Sequence, residues 1–213
     1  SLGALLMLFG RQYDKQIQKR EGYVIVTLGW MMMTISGMLP FIFTNSMVDI
    51  PSTFFETMSG YTATGATILQ DIESLPLGIL FWRSMTHWIG GMGIIVLAIA
   101  ILPLLGIGGI QLFSAEAPGP NNDKLHPRIT DTAKRLWLIY VSFTFLEAIL
   151  LSFAGMSIFD AVNHAMSTMA SGGFSTKNNS LAYWNHLPLV HYIIILFMFL
   201  AGSNFVLSYF ALT

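Results

Sequence analysis

Two things are scarce in this chain. It has no cysteine, which removes disulfide frameworks, thiolate metal sites and dithiol redox chemistry and leaves the redox compartment unread. It also has little charge: 10 Lys and Arg and 11 Asp and Glu in 213 residues, a 10% share with a net charge of -1. A soluble domain carries about 25% charged residues. So poor a supply of charge excludes a soluble globular enzyme, and the lack of any basic excess excludes a nucleic-acid binder. What is present instead is 54% hydrophobic residues and a mean hydropathy of +0.64. The chain reads as an integral membrane protein.

A helix needs about 20 mostly apolar residues to cross a hydrocarbon core roughly 30 Å thick. No charge occurs from Gly22 to Val48, from Ser84 to Ala115 or from Asn178 to Thr213, and Leu136 to Phe159 is interrupted only by Glu147. Four spans are therefore predicted, near 23–43, 79–104, 134–155 and 188–211. Ser1 to Gly10 is apolar but too short to span. It lacks an initiator Met and a basic n-region ahead of it, so it reads as the tail of an earlier helix rather than a signal peptide. Arg11, Lys15, Lys19 and Arg20 precede the first span, and Lys124, Arg128, Lys134 and Arg135 flank the loop before the third. Positive charge marks that side as cytoplasmic. Only Arg83 and Lys177 lie on the other, so the connectors 44–78 and 156–187 face outward.

Each outer connector opens with a short apolar stretch that looks helical yet cannot span. In the first, Pro51 suits an opening turn, Thr53 and Glu56 have capping-box spacing, and Phe54, Phe55 and Met58 form one apolar face. In the second, Ser157 and Asp160 have S-x-x-D spacing ahead of Ala161, Val162, Ala165 and Met166. Both end in small and hydroxylated residues, Ser59-Gly60-Tyr61-Thr62-Ala63-Thr64-Gly65-Ala66-Thr67 and Ser167-Thr168-Met169-Ala170-Ser171-Gly172-Gly173-Phe174-Ser175-Thr176. One constant offset sets Gly65 on Gly173, Met58 on Met166, Ser59 on Ser167 and Thr67 on Ser175. The unit is thus helix, re-entrant helix, extended loop, helix, twice over, and the two copies run parallel.

That unit points to cations. Non-helical backbone at membrane depth is tolerated only where protein buries it or it lines a water-filled cavity. A re-entrant helix entering from outside aims its C-terminus, with about half a negative charge, at the bilayer centre. The extended run beyond it can present carbonyl oxygens to a dehydrated ion. The plainer reading is a pair of ordinary outer loops; two such runs in register after capped short helices favour a filter.

At these residues the chain resembles the Trk/Ktr/HKT superfamily of potassium transporters, and within it the TrkH-type membrane subunit. Besides both filter runs, the resemblance is carried by Trp88-Ile89-Gly90-Gly91-Met92-Gly93-Ile94-Ile95-Val96-Leu97-Ala98, Ile101-Leu102-Pro103, Ala115-Glu116-Ala117-Pro118-Gly119-Pro120 and Leu200-Ala201-Gly202-Ser203-Asn204-Phe205. It implies an all-α membrane protein of potassium-channel-like architecture: four tandem helix–pore-helix–helix repeats around one pore. Each repeat contributes a filter segment with one characteristic glycine, here Gly65 and Gly173. The filter residues carried over are Thr62, Ala63, Thr64, Gly65 and Ala66, then Ser171, Gly172, Gly173 and Phe174. Potassium is the implied cargo, with no organic cofactor. A single glycine per segment implies weaker discrimination against sodium than a true potassium channel achieves.

The expected organisation is 1–20 as the end of a preceding helix with a basic cytoplasmic segment, 21–105 as the first pore repeat, 106–132 as a cytoplasmic linker, and 133–213 as the second repeat. Two repeats cannot close a four-sided ring, so the chain is expected to be a fragment of a longer one, the alternative being that two copies pair. The implied partners are the two remaining repeats, a second copy of the full-length protein, a cytosolic nucleotide-binding ring of TrkA type, and the lipid of a bacterial inner membrane that the chain crosses several times; no nucleic acid is implied. Channel and ion-coupled transporter both remain open.

Other residues admit two readings each. Glu147, within the third span, is a cavity-facing or proton-coupled acid, or a protonated or hydrogen-bonded structural one; the structural role is preferred, because this helix should be the outer one of its repeat. Arg83 and His87, among Trp82 and Trp88, are expected to anchor a helix at the interface. His164 shapes the filter backbone or simply packs. Asp49, Glu56, Asp71, Glu73 and Asp160 form an acidic mouth or are solvated loop charges. Gly90, Gly91 and Gly93 are expected to let helices approach without touching an ion. Two alternatives from other classes are weaker. An intramembrane serine protease would need a nucleophile such as Ser59 in Thr57-Met58-Ser59-Gly60, which lacks the leading glycine. A purely structural subunit would have no use for duplicated re-entrant helices.

Overall fold

The computed structural model describes residues 19–105 and 129–202. The expected preceding helix at Ser1–Gly10, most of the linker around Pro118-Gly119-Pro120, and Ser203-Asn204-Phe205 lie outside the described residues. Every regular element among the described residues is helical. In chain order these are α1 (Lys19–Gly37), α2 (Leu39–Phe43), α3 (Ile50–Tyr61), α4 (Leu77–Leu105), α5 (Ile129–Phe153), α6 (Ile158–Met169), a 3-10 helix (Ser180–Trp184) and α7 (Pro188–Gly202). The stretches Val24–Phe43 and Leu136–Phe153 are long and apolar enough to cross a membrane. Their outward faces expose Leu28, Met32, Ile35, Leu138, Phe145 and Ile149, as lipid-facing helices do.

The offset that pairs the two glycine-bearing runs holds for the short helices that precede them. It carries the ends of α3, Ile50 and Tyr61, onto those of α6, Ile158 and Met169. It also carries the cap Asp49 onto Ser157. Helix α3 packs between α1 and α4, and α6 packs between α5 and α7, so each short helix sits inside a helix pair. Helix α4 additionally meets α5 and α6, which joins the halves. Met92, Tyr140, Met169 and Phe197, from α4, α5, α6 and α7, form the core at that junction.

The caps show where local sequence was informative. Ser157 accepts from the Asp160 N–H at 3.1 Å and donates to the Asp160 carboxylate at 2.7 Å, as its S-x-x-D spacing predicts. Ser157→Ala is expected to lower the stability of the whole protein by about 1 kcal/mol, read as a fall in its thermal unfolding midpoint in detergent. In the first repeat the predicted capping box is corrected. The cap is Asp49, which accepts from Ser52 N–H at 3.1 Å. Thr53 lies inside the helix and donates to the Asp49 carbonyl, and Glu56 is turned inward. The apolar-face expectation is corrected as well. Thr53, Glu56, Thr57, Ser59 and Tyr61 form the buried face of α3, whereas Phe55 is exposed. A short helix enclosed by protein can bury polar groups wherever partners await them.

Candidate functional site

The two segments that follow α3 and α6 leave their helices identically. Ala63 N–H donates to Gly60 O at 3.0 Å and Thr64 N–H to Ser59 O at 3.0 Å. At the equivalent positions of the second repeat, Ser171 N–H donates to Thr168 O at 2.8 Å and Gly172 N–H to Ser167 O at 2.9 Å. This is a Schellman ending, with a left-handed residue just past the cap. Here the left-handed residues are Ala63, φ 51°, and Ser171, φ 56°, although glycine is the usual choice. Two residues later come Gly65 and Gly173, with φ 74° and 89°. Beyond them the chain is irregular. Exposure alternates along it: Thr62, Thr64 and Ala66 are open with Ala63 and Gly65 half-buried, while Ser171 and Gly173 are open with Gly172 and Phe174 buried. The side of each segment that carries these open residues is uncovered by any other described residue.

The two segments touch. A Cβ built on Gly65 would fall inside the van der Waals sphere of the Gly172 carbonyl oxygen, whereas one on Gly173 would meet nothing within 4 Å. All nine candidate filter residues thus lie in two neighbouring strips, with two qualifications. The Ala66 carbonyl accepts the Ser59 hydroxyl at 2.6 Å, so it is tied back to α3. The Phe174 ring points away from the open edge and is buried. The same bond bears on Ser59, the candidate nucleophile of the protease reading: its hydroxyl holds a loop.

Behind each strip the short helix supplies a tether at an equivalent position. In the first repeat, Thr67 donates to Glu56 at 2.9 Å, and Ile68 N–H also donates to Glu56 at 3.1 Å. In the second, His164 Nε2 lies 3.0 Å from the Ser175 hydroxyl while its Nδ1 lies 2.8 Å from the Asp160 carbonyl. The repeat offset that sets Thr67 on Ser175 also sets Glu56 on His164. His164 therefore holds the segment that follows its own helix through the Ser175 hydroxyl, as Glu56 does through Thr67.

Arg83 and His87 overturn the interfacial-anchor expectation, since both are buried. Arg83 forms an ion pair with Glu56 at 2.8 Å. His87 stacks on Phe174 with ring centroids 3.9 Å apart, and its Nδ1 lies 3.0 Å from the Ser167 hydroxyl. Trp82 and Trp88 clip helices rather than line an interface: Trp82 Nε1 donates to Gly37 O at 2.9 Å and Trp88 Nε1 to Thr144 at 3.0 Å. Glu147 is fully buried with the Thr168 hydroxyl nearby, but neither carboxyl oxygen closes a hydrogen bond of good geometry. Thr168, on α6, is a polar neighbour of this enclosed acid.

The acidic mouth is also corrected in part. Glu56 is withdrawn into its ion pair, and Asp160 accepts from the Thr176 hydroxyl at 2.6 Å, fixing the end of the second strip. Asp71 and Glu73 remain outside and fasten the two connectors together. Asn178 donates to Asp71 at 2.9 Å, its backbone N–H donates to Glu73 at 3.2 Å, and its side-chain oxygen accepts from Ile72 N–H at 2.6 Å. The Asn178 amide holds the Asp71 carboxyl below its ordinary range.

Reading residues one at a time missed the Glu56–Arg83 pair. The signal was there, since an acid in a re-entrant helix and the lone base of the following span have opposite signs at membrane depth.

The TrkH family, whose description is a cation transport protein, matches residues 1–213. The chain is 49% identical over 211 residues to "Trk system potassium uptake protein TrkH" of Escherichia coli (strain K12), covering 98% of this chain and 44% of that protein. It is 44% identical over 209 residues to the protein of the same name from Vibrio parahaemolyticus, covering 97% of this chain and 43% of that one. The crystal structure of the potassium transporter TrkH from Vibrio parahaemolyticus superposes with a TM-score of 0.78 at 40% identity, over 98% of this chain and 41% of that one. The chain therefore spans less than half the length of these relatives.

Proposed function

Since this chain belongs to the TrkH family of cation transport proteins, we propose that it forms the first two of four pore repeats in a potassium uptake protein of the bacterial inner membrane. The repeats are 21–105 and 133–213, joined by the linker 106–132, with 1–20 ending an earlier helix. Potassium, the transported ion, sheds water against backbone carbonyls of Thr62, Ala63, Thr64 and Gly65 and of Ser171, Gly172, Gly173 and Phe174, and moves inward down the membrane potential. Ala66 belongs to the same segment, its carbonyl steadied by Ser59. Two further repeats close the ring on the open edge of the strips. The full-length protein works as a homodimer on a TrkA-type cytosolic ring and needs no organic cofactor.

The observation that carries this reading is the pair of equivalent strips, each with a left-handed residue and then a left-handed glycine, lying side by side with one edge free. Potassium flux through the whole protein in liposomes tests it. Gly173→Asp is expected to reduce that flux by about tenfold or more, since an added anion and a Cβ at φ 89° together exceed about 1.4 kcal/mol. Unchanged flux and ion preference in both Gly173→Asp and Gly65→Asp would sink the filter assignment.

A further inference from the structure

We infer that Arg83 is a positioning residue that locks the two filter strips to each other across the repeat boundary, rather than an anchor for its own helix. This rests on the filter reading above. The two repeats are built asymmetrically behind their strips. Both use a residue on the short helix to hold a hydroxyl two positions past the filter glycine, Glu56 for Thr67 and His164 for Ser175. The first repeat backs that tether with a cation, Arg83. The equivalent position in the second repeat is His191, whose Nε2 lies 3.0 Å from the Asn185 side-chain oxygen instead. No cation of the second repeat, among the described residues, thus stands behind its own strip in the way Arg83 stands behind the first.

Arg83 covers both. Its Nε and Nη2 donate to Glu56 at 3.0 and 2.8 Å, and Nη2 also reaches the Thr67 hydroxyl at 3.3 Å. Its Nη1 donates to the Ser175 carbonyl at 3.3 Å, 92 positions away in the chain. Its Cζ lies 4.2 Å from the centroid of the Phe174 ring. His87, one turn along α4, stacks on that same ring, so two successive turns of one helix grip the second strip. A guanidinium presents five donors in a rigid planar fork, which lets one side chain hold a carboxylate and a carbonyl in fixed relation. An ammonium carries its three donors on one nitrogen, so it cannot reproduce contacts that Arg83 makes through separate nitrogens to Glu56 and Ser175. The outcome is a chain of bonds from Ile68 and Thr67 through Glu56 and Arg83 to Ser175, and its central ion pair is shielded from solvent, since both charged residues are only about 1% exposed. Because a carbonyl filter selects by the placement and number of its oxygens, a link that sets the spacing of two strips sets ion preference.

The test compares potassium and sodium flux through the whole protein in liposomes for Arg83→Lys and Thr67→Val. Lysine keeps the buried charge opposite Glu56, so the protein is expected to fold, but it releases Ser175. Valine nearly keeps the shape of Thr67 and loosens the first strip alone. The ratio of potassium to sodium flux is expected to shift by about fivefold or more in Arg83→Lys and by less in Thr67→Val, the size of one lost charge-assisted hydrogen bond. Folded yield and unfolding midpoint should stay close to those of the parent. A helix anchor would show the reverse, lower yield with the ratio unmoved, and that result in both variants overturns the inference. Gly173→Asp in the same assay separates the two claims. If it moves the ratio while Arg83→Lys and Thr67→Val do not, the latch is wrong and the filter stands; if it too leaves the ratio unmoved, the filter reading falls and the latch with it.

Discussion

Gly65→Ala is expected to stop potassium flux through the whole protein almost completely, although it adds only one methyl group. Two independent obstacles meet at that position. The backbone φ is 74°, where an L side chain costs roughly 1–2 kcal/mol. The new Cβ would also occupy space held by the Gly172 carbonyl oxygen. A flexible side chain could swing aside, but this neighbour is backbone, and Gly172 lies close against the buried His87 ring, which leaves little room for it to retreat. The first strip must therefore leave its place beside the second. Gly173→Ala is the informative comparison: it carries the backbone cost alone, because nothing lies within 4 Å of its Cβ. Flux of rubidium or potassium into proteoliposomes should fall by more than about tenfold in Gly65→Ala and clearly less in Gly173→Ala. Equal, near-parental flux in both would mean that the contact between the strips has no bearing on conduction.

Gly90→Ala is expected to damage the assembly itself rather than its ion preference. Helix α4 crosses the end of α3 so closely that a Cβ on Gly90 would lie 2.7 Å from the Tyr61 carbonyl carbon and 3.0 Å from its Cα. These again are backbone atoms, and they belong to the last residue of α3, from which the first strip departs. A Cβ on Gly91 next door would lie 2.7 Å from the Tyr140 hydroxyl and 3.0 Å from Ala170, the cap of α6, and one on Gly93 would lie 3.2 Å from Trp30. The Gly-Gly-Met-Gly run is thus where one helix closes on both short helices and on α1. Overpacking of this kind costs typically about 1–3 kcal/mol, and more where backbone cannot yield. The unfolding midpoint in detergent and the amount of protein recovered from membranes should both drop sharply. Gly78→Ala, on the same helix with open space around it, should leave both unchanged. A Gly90→Ala protein as stable as its parent would contradict the close crossing.

Features carried by neighbouring residues were legible in advance. The apolar runs place four helices, because a bilayer demands their length and hydropathy, and α1 with α2, α4, α5 and α7 fall where those runs lie. The S-x-x-D spacing at Ser157 gives the cap that is observed. The internal repeat predicts the equivalent glycines, which share the same left-handed backbone. Misreadings arose where a side chain had more than one possible partner. Glu56 sits at capping distance from Thr53, yet it bonds to Arg83, on the following long helix, and to Thr67. Arg83 and His87 beside two tryptophans look interfacial, yet both are enclosed. Asp49, not Thr53, caps α3, because the helix begins at Ile50, with Pro51 in its opening turn as expected.

Composition and order along the chain alone point to a membrane protein, to the side its basic residues mark, and to two copies of one re-entrant unit. Those conclusions need only hydrophobic length, charge position and internal similarity, all of which act over short stretches of chain. The packing of the two copies settled the rest. It put the Gly172 carbonyl against Gly65, closed α4 onto Tyr61 and Ala170, and joined Glu56, Arg83 and Ser175 into one buried network. Such contacts bring together residues up to 107 positions apart. Their partners are chosen by how helices stack and by which buried polar group must be satisfied, and neither constraint is written in any local pattern.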